Sequence, residues 1–320
     1  MIVKSLSSIS IVLASLLLVS AACGGGAKEK GNVEAGPKTI NYDDGRVYVG
    51  EVKAGEDGQD IPSGKGVMTW PKGDKYEGDW VDGRMEGNGR FKSYEGSTYT
   101  GQFKDNKKVG KGKLVWEKGP DEKGTGITYV GYFKDDQPNG KGIFNWFDEK
   151  KYVGDIANGA ANGKGVITWV PKASPYAKYT GTVKNNLPEG RGEYIYQNGD
   201  KYRGELHKGL RHGKGEFIAR DGTNYKGDFE NDAYHGQGRL EMADRRVYEG
   251  QFDGGYRQGK GTMTWPDKSR YEGTWENGVM NGVGTYSWPD KSKYVGMYAD
   301  GKREGKGRFT WADGSVSLSR

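Results

Sequence analysis

Gly259-Lys260-Gly261-Thr262-Met263-Thr264-Trp265 and Tyr76-Glu77-Gly78-Asp79-Trp80 carry the pattern that decides the fold. In the first, both glycines, Met263 and Trp265 occupy alternate positions, with polar or β-branched residues between them. In the second, Tyr76, Gly78 and Trp80 alternate with Glu77 and Asp79. Side chains along a strand alternate between faces, so a period of two over short segments predicts half-buried antiparallel strands.

These stretches recur. Tyr-x-Gly-x-apolar starts at Tyr48, Tyr76, Tyr99, Tyr129, Tyr152, Tyr179, Tyr202, Tyr225, Tyr248, Tyr271 and Tyr294. Gly-x-Gly starts at Gly64, Gly87, Gly110, Gly140, Gly163, Gly190, Gly213, Gly236, Gly259, Gly282 and Gly305, interleaved with the first anchor. Most Tyr-to-Tyr steps are 23 residues; three are 28, 30 and 27. A fixed period of this size is the mark of a repeat architecture, each unit one supersecondary element. The spacing predicts a hairpin per repeat, with six or so residues around Asp82-Gly83, Asn158-Gly159 or Asn277-Gly278 between its strands. A loop such as Pro266-Asp267-Lys268-Ser269 then leads to the next hairpin. The extra residues are expected to be dispensable loops within 53–63, 117–128 and 170–178. Glycine on an apolar face weakens a strand unless a ring covers the bare backbone, so both glycines of Gly-x-Gly are expected to form a groove for rings.

Composition agrees. Only 33% of the 320 residues are hydrophobic, yet there are 9 Trp, 21 Tyr and 56 Gly. That is too aromatic for a disordered chain and too poor in aliphatic residues for a thick core. The +6 net charge is a small difference between 49 basic and 43 acidic residues, so a nucleic-acid partner is not expected.

Units such as Tyr271-Glu272-Gly273-Thr274-Trp275-Glu276-Asn277-Gly278-Val279-Met280-Asn281-Gly282-Val283-Gly284-Thr285-Tyr286-Ser287-Trp288-Pro289-Asp290 resemble MORN repeats (membrane occupation and recognition nexus). The resemblance covers roughly residues 42–314; Ser93, Ala219 and Met242 replace the Trp that usually ends the second strand. It implies an all-β fold: an elongated, twisted single-layer antiparallel sheet of about eleven consecutive hairpins. It also implies a role in scaffolding, dimerisation or attachment near membranes.

The N-terminus adds an address. Lys4 precedes an apolar, Ser-rich run from Leu6 to Val19, and Ala21-Ala22-Cys23 follows. This reads as a secretory signal. Val19-Ser20-Ala21-Ala22-Cys23 resembles a bacterial lipobox, in which the Cys sulfur receives diacylglycerol; Ser20 departs from the usual Leu. The expected organisation is a signal peptide over 1–22, a lipidated Cys23 and flexible tether over 23–41, and the array over 42–317. The expected location is a bacterial cell envelope, anchored in a membrane and facing the periplasm or exterior.

Nothing points to catalysis, a cofactor or a metal. The three histidines are His207, His212 and His235, and the one cysteine is Cys23. Zinc needs three or four converging ligands, and no nucleophile elbow is visible. Two features suit binding instead. The middle of Gly-x-Gly is basic at Lys65, Lys111, Lys141, Lys164, Arg191, Lys214, Lys260 and Lys306, a stripe suited to anionic lipid or polysaccharide or to cross-strand ion pairs. The aromatic face, richest at Trp265, Trp275, Trp288 and Trp311, is expected to lie bare and to meet another protein or a second copy. The reading is a non-catalytic, lipid-anchored envelope scaffold; the alternative is a cell-wall carbohydrate or anionic-lipid binder. Adjacent Trp-Tyr pairs, which build ligand cages in choline-binding hairpin repeats, are missing here.

Overall fold

The computed structural model describes residues 36–117, 126–147, 149–171 and 173–319. The expected leader, Cys23 and most of the tether lie outside the described residues. The described residues form 24 strands and no helix, and within each unit the strands make an open antiparallel sheet. The chain divides into two compact units, residues 1–163 and 164–320. In the first, each strand pairs with its successor from β1 (Lys38–Asn41) to β10 (Lys150–Ala157). In the second, the same holds from β12 (Tyr176–Lys184) to β24 (Val316–Ser319).

The hairpin turns are tighter than the expected six residues. β4 (Lys75–Val81) passes to β5 (Arg84–Lys92) through Asp82-Gly83 alone, and Val81 pairs directly with Arg84. Asp82 and Gly83 have φ of 50° and 75°. Two successive left-handed residues make a type I′ turn, whose twist matches that of the strands. Asp105-Asn106, Asn185-Asn186, Asn231-Asp232 and Asn277-Gly278 do the same. Polar residues near the turns look like loop in the sequence, but they are the outward half of continuing strands.

Gly-x-Gly divides its labour, which corrects the groove expectation for its first glycine. From His212 to Gly215 the strand advances three residues while its partner advances only from Glu205 back to Gly204. The first glycine, Gly213 with φ of 58°, sits in that bulge. Its missing side chain would meet the Glu205 carboxylate, on the face away from the rings. So the first glycine supplies a backbone conformation, and only the second lies under a ring.

One of the inserted segments is not a loop, and another is one only in part. β2 (Val47–Ala54) and β3 (Asp60–Thr69) lengthen the first hairpin, pairing Lys53 with Ile61 and Val52 with Pro62. Only residues 55–59 form its turn. In the third segment, Tyr176 stacks on Tyr194 with centroids 4.3 Å apart. Most of the second, residues 118–125, lies outside the described residues. The sheet also begins earlier and ends later than expected. Lys38–Asn41 pairs with β2, and Val316–Ser319 pairs with β23 (Lys302–Thr310).

Candidate functional site

The inner face is built on a row of glycines running straight across the strands. In the first unit, Gly50, Gly66, Gly78, Gly89, Gly101 and Gly112 follow one another in register. In the second, Gly204, Gly215, Gly227, Gly238, Gly250 and Gly261 do so. Each anchor tyrosine lies over two of them. A Cβ on Gly89 would stand 2.3 Å from Tyr76 Cε2, and one on Gly261 would stand 2.2 Å from Tyr248 Oη. The buried hydroxyl then donates to the carbonyl three residues on: Tyr48 to Glu51 at 2.6 Å, Tyr129 to Tyr132 at 2.8 Å, Tyr225 to Asp228 at 2.8 Å. Ten of the eleven anchors make this bond. Tyr294 does not; its hydroxyl is buried without a partner. Burial raises the phenol pKa of most anchors, to about 12 at Tyr129, Tyr152, Tyr248 and Tyr271.

Between the tyrosines stand the residues four positions on, edge-to-face. Tyr48, Trp80, Tyr76, Phe103, Tyr99, Phe133 and Tyr129 form one ladder, with centroids 4.7–5.4 Å apart. Tyr202, Phe229, Tyr225, Phe252, Tyr248, Trp275 and Tyr271 form another, at 5.0–5.4 Å. Aromatic pairs prefer this edge-to-face geometry at 4.5–7 Å.

The aromatic face is therefore not bare. Trp275, expected to meet a partner, is 5% exposed, and its indole donates to Gly261 O at 3.2 Å. Trp265 and Trp288 are half-buried against Tyr286, while Trp311 remains 53% exposed.

A second row, missed in the sequence, covers the ladder. It is the residue two before each Gly-x-Gly, which pairs across the hairpin with the ladder residue: Phe103 with Lys108, Leu206 with Arg211, Phe252 with Arg257. Four of these are cations lying over rings. Arg257 Cζ stands 4.6 Å from the Trp275 centroid, Arg303 Cζ 4.8 Å from Tyr294, Arg211 Cζ 5.3 Å from Phe229 and Lys108 Nζ 5.0 Å from Phe91. Their stems shield the rings from water while the charge meets the ring face. Burial lowers the pKa of the Lys108 ammonium, against the pull of Asp136. The signal was present, since these positions share the ladder's parity, but they fell in the supposed loops.

The same residue anchors the next hairpin. Its carbonyl accepts from the second turn residue there: Gly83 to Pro62 at 2.9 Å, Asp136 to Lys108 at 3.1 Å, Asp232 to Arg211 at 3.0 Å, Gly278 to Arg257 at 3.0 Å. An Asn or Asp in that turn returns the bond, as when Arg211 N–H donates to Asp232 Oδ1 at 2.8 Å.

The basic stripe lies on the outer face. Lys65 pairs with Asp79 and Lys141 with Asp155; Lys214 meets Asp228 at 2.6 Å and Arg191 meets Glu205 at 3.3 Å. Lys260 faces Thr274, and Lys111 lies 5.8 Å from the Tyr132 ring. Lys164 and Lys306 continue the stripe in the sequence. A shallow outer groove of about 750 Å³ crosses Gly215, Gly227, Gly238 and Gly250, with both charge signs on its walls: Arg203, Lys226 and Arg239 against Glu216 and Glu249. His207 Nδ1 lies 3.1 Å from Glu189, and His235 lies 3.4 Å from Asp253. Among the described residues no three His, Cys, Asp or Glu side chains are placed to hold a metal, and no helix is long and apolar enough to cross a membrane.

The turn edges of the two units differ. In the first, each acid in the two-residue turns from Asp82 to Asp136 meets a cation: Asp82 with Lys53 at 2.6 Å, Asp105 with Arg84 at 2.6 Å, Asp135 with Lys107 at 3.0 Å and Asp136 with Lys108 at 3.5 Å. In the second, the outward residue after the turn is apolar and exposed at Leu187, Leu210, Tyr256 and Val279.

Among solved structures, the chain is similar to the TCP domain of SAS-4 from Drosophila melanogaster, in complex with a proline-rich motif of Ana2, at 13% identity, 50% coverage of this chain, 85% of that one and a TM-score of 0.32. The TCP10 domain of Danio rerio CPAP, in complex with a STIL peptide, is similar at 12% identity, 84% and 98% coverage and a TM-score of 0.27. Virginiamycin B lyase from Staphylococcus aureus follows at 13%, 90% and 71%, with a TM-score of 0.13. Scores this low carry no argument. No curated protein sequence matches the chain. The MORN repeat family matches residues 48–75, 76–98, 99–120, 129–149, 152–172, 179–201, 202–224, 225–245, 248–270, 271–293 and 294–316. With the glycine row, the anchor tyrosines and the repeat period all accounted for by those eleven segments, this chain belongs to the MORN repeat family.

Proposed function

We propose that the protein is a non-catalytic scaffold, tethered to a bacterial cell-envelope membrane through lipidated Cys23 and presenting its repeats to another protein. The observation that carries this reading is the way the repeat uses its own chemistry. Anchor tyrosines, ladder rings and turn amides bond within the repeats, so what differs from repeat to repeat is displayed on the outer face and the edges. Conserving an inner frame while varying exposed positions suits recognition of a macromolecule. Lys4, the apolar run from Leu6 to Val19 and Ala21-Ala22-Cys23 support export and anchoring. A continuous anion-binding stripe is the weaker reading, since four of its eight cations are matched by carboxylates.

The test has two arms. Cells expressing the full chain are fed a clickable palmitate; label on the wild type and none on Cys23→Ala is expected, and label on Cys23→Ala overturns the anchor. Chemical crosslinking in the same cells is expected to join the repeats to one recurring protein. Recovery of the chain alone, with no protein enriched over a Trp311→Ser, Tyr256→Ser double variant, overturns the scaffold.

A further inference from the structure

Three consecutive turns of the second unit share a chemistry that the inner frame does not require. Glu230-Asn231-Asp232-Ala233, Asp253-Gly254-Gly255-Tyr256 and Glu276-Asn277-Gly278-Val279 each place an acid before the turn and an apolar residue after it. The pairs Glu230–Ala233, Asp253–Tyr256 and Glu276–Val279 stand directly across their hairpins. Tyr256 is 62% and Val279 39% exposed. The acids are also free of strong cations. Glu230 and Asp253 approach only His235, at 3.7 and 3.4 Å, and Glu276 accepts from the Asn281 amide. Among the described residues no Lys or Arg pairs with any of the three, although the in-turn Asp232 beside them is matched by Arg211, as the in-turn acids from Asp82 to Asp136 are matched in the first unit.

Spacing identifies the occupant. One hairpin is two strands, so the apolar residues recur every ~9.6 Å along the edge. A heptad of α-helix rises about 10.5 Å, which returns the same face to successive hairpins. An extended segment reaches that distance in about three residues, an odd number that turns alternate side chains away. The surrounding carboxylates favour cations beside the apolar stripe.

We propose that the turn edge formed by Ala233, Tyr256 and Val279 with Glu230, Asp253 and Glu276 docks an amphipathic helix of a partner protein, one with an apolar stripe repeating every seven residues and Lys or Arg along its flanks. This rests on the scaffold reading and names the partner's chemistry. It uses three repeats to hold two or more turns of helix, each hairpin contributing one apolar contact and one acid.

A photoreactive phenylalanine analogue placed at position 256, or at 279, in the full chain tests it in the producing cells. Both positions are expected to crosslink to one partner segment, at residues about seven apart, in a stretch rich in Lys or Arg. That stretch, made as a labelled peptide, is expected to bind the full chain at least tenfold more weakly after Tyr256→Ser with Val279→Ser, and after Asp253→Lys with Glu276→Lys. Crosslinks two or three residues apart, crosslinks to an acidic segment, or crosslinks to a second copy of this chain overturn the proposal. So does no crosslink at either position above that at Val295, on the outer face. Partner crosslinks found only at Trp288 or Trp311 would overturn it too, while leaving the scaffold reading intact.

Discussion

The turns at residues 82–136 and those at residues 231–279 use the same two-residue backbone, yet they present opposite surfaces. In the first set, charge closes on itself: Arg84 meets Asp105 and Lys107 meets Asp135, each reaching to the following hairpin. In the second, the corresponding positions are Ala233, Tyr256 and Val279, and the acids just before these turns, Glu230, Asp253 and Glu276, lack a Lys or Arg partner among the described residues. Beneath both edges the frame is the same, with turn amides bonded to the preceding hairpin, rings edge-to-face and glycines under tyrosines. The difference teaches that stability and individuality occupy separate atoms in this repeat. A change to the frame should cost much in either unit, and a change at the edge little in either.

The largest effect should come from alkali, which strikes the frame everywhere. Burial, with the Asp155 charge nearby in one case, raises the phenols of Tyr152 and Tyr248 to about 12. An unfolded tyrosine ionises near pH 10, so below that pH both states are protonated and nothing is lost. As pH rises from about 10 to 12 the unfolded chain releases protons that the folded chain retains, and stability falls. Ten hydrogen-bonded anchors should make the loss cooperative. Phenolate absorbance and loss of the β circular-dichroism signal are expected to rise together in that window. Phenolate absorbance well beyond that of the exposed Tyr94, Tyr132 and Tyr256, appearing before the β signal falls, would mean the anchors are open to solvent.

Next come the glycines, one from each unit. Gly89→Val drives a side chain into the Tyr76 ring and Gly261→Val into the Tyr248 ring. Each should cost about 3 kcal/mol in urea unfolding, the scale of overpacking. Gly259→Val meets only the end of Gln251, so its cost, about 1–2 kcal/mol, comes from a φ of 64°. Lys260→Val, on the outer face, should stay within about 0.5 kcal/mol. Equal costs for Gly259→Val and Gly261→Val would break the division of labour between the two glycines.

That division marks where the sequence was legible. Period and parity suffice to place the strands, the second glycine and the anchor tyrosines, because those follow from alternation alone. The bulge at Gly213 was hidden because it adds two residues to one strand and so leaves parity unchanged. The covering row at Lys108, Arg211, Arg257 and Arg303 was hidden because cations on an inner face look like loop residues until a ring is seen beneath them. Trp275 was misplaced because composition counts a tryptophan without saying whether a repeat has already used it.

The covering row lies between frame and edge, and its cost should be intermediate. Arg257→Ala removes a buried stem and a charge 4.6 Å from Trp275, and is expected to lose about 1–2 kcal/mol. Arg257→Met keeps the stem and should recover at least half. If both variants lost the same, the charge would carry the whole contact and shielding of the ring would not matter.

The smallest effect belongs to the edges. Arg84→Ala breaks an exposed pair with Asp105, and water screens such pairs so well that the unfolding midpoint should barely move. Tyr256→Ser should cost less still, under about 0.5 kcal/mol, because its side chain is mostly in water and lies outside the ladder. The strand itself should not suffer, since Tyr256 pairs with Asp253 through backbone beside a turn that Gly254 and Gly255 already fix with φ of 54° and 91°. Val279→Ser should follow it. An exposed tyrosine that contributes nothing to folding is then available for contact with another molecule. A loss above about 1 kcal/mol for Tyr256→Ser in urea unfolding of the full chain would mean that the ring packs on its neighbours after all. The second edge would then be one more stabilised edge, built from apolar contact where the first uses ion pairs.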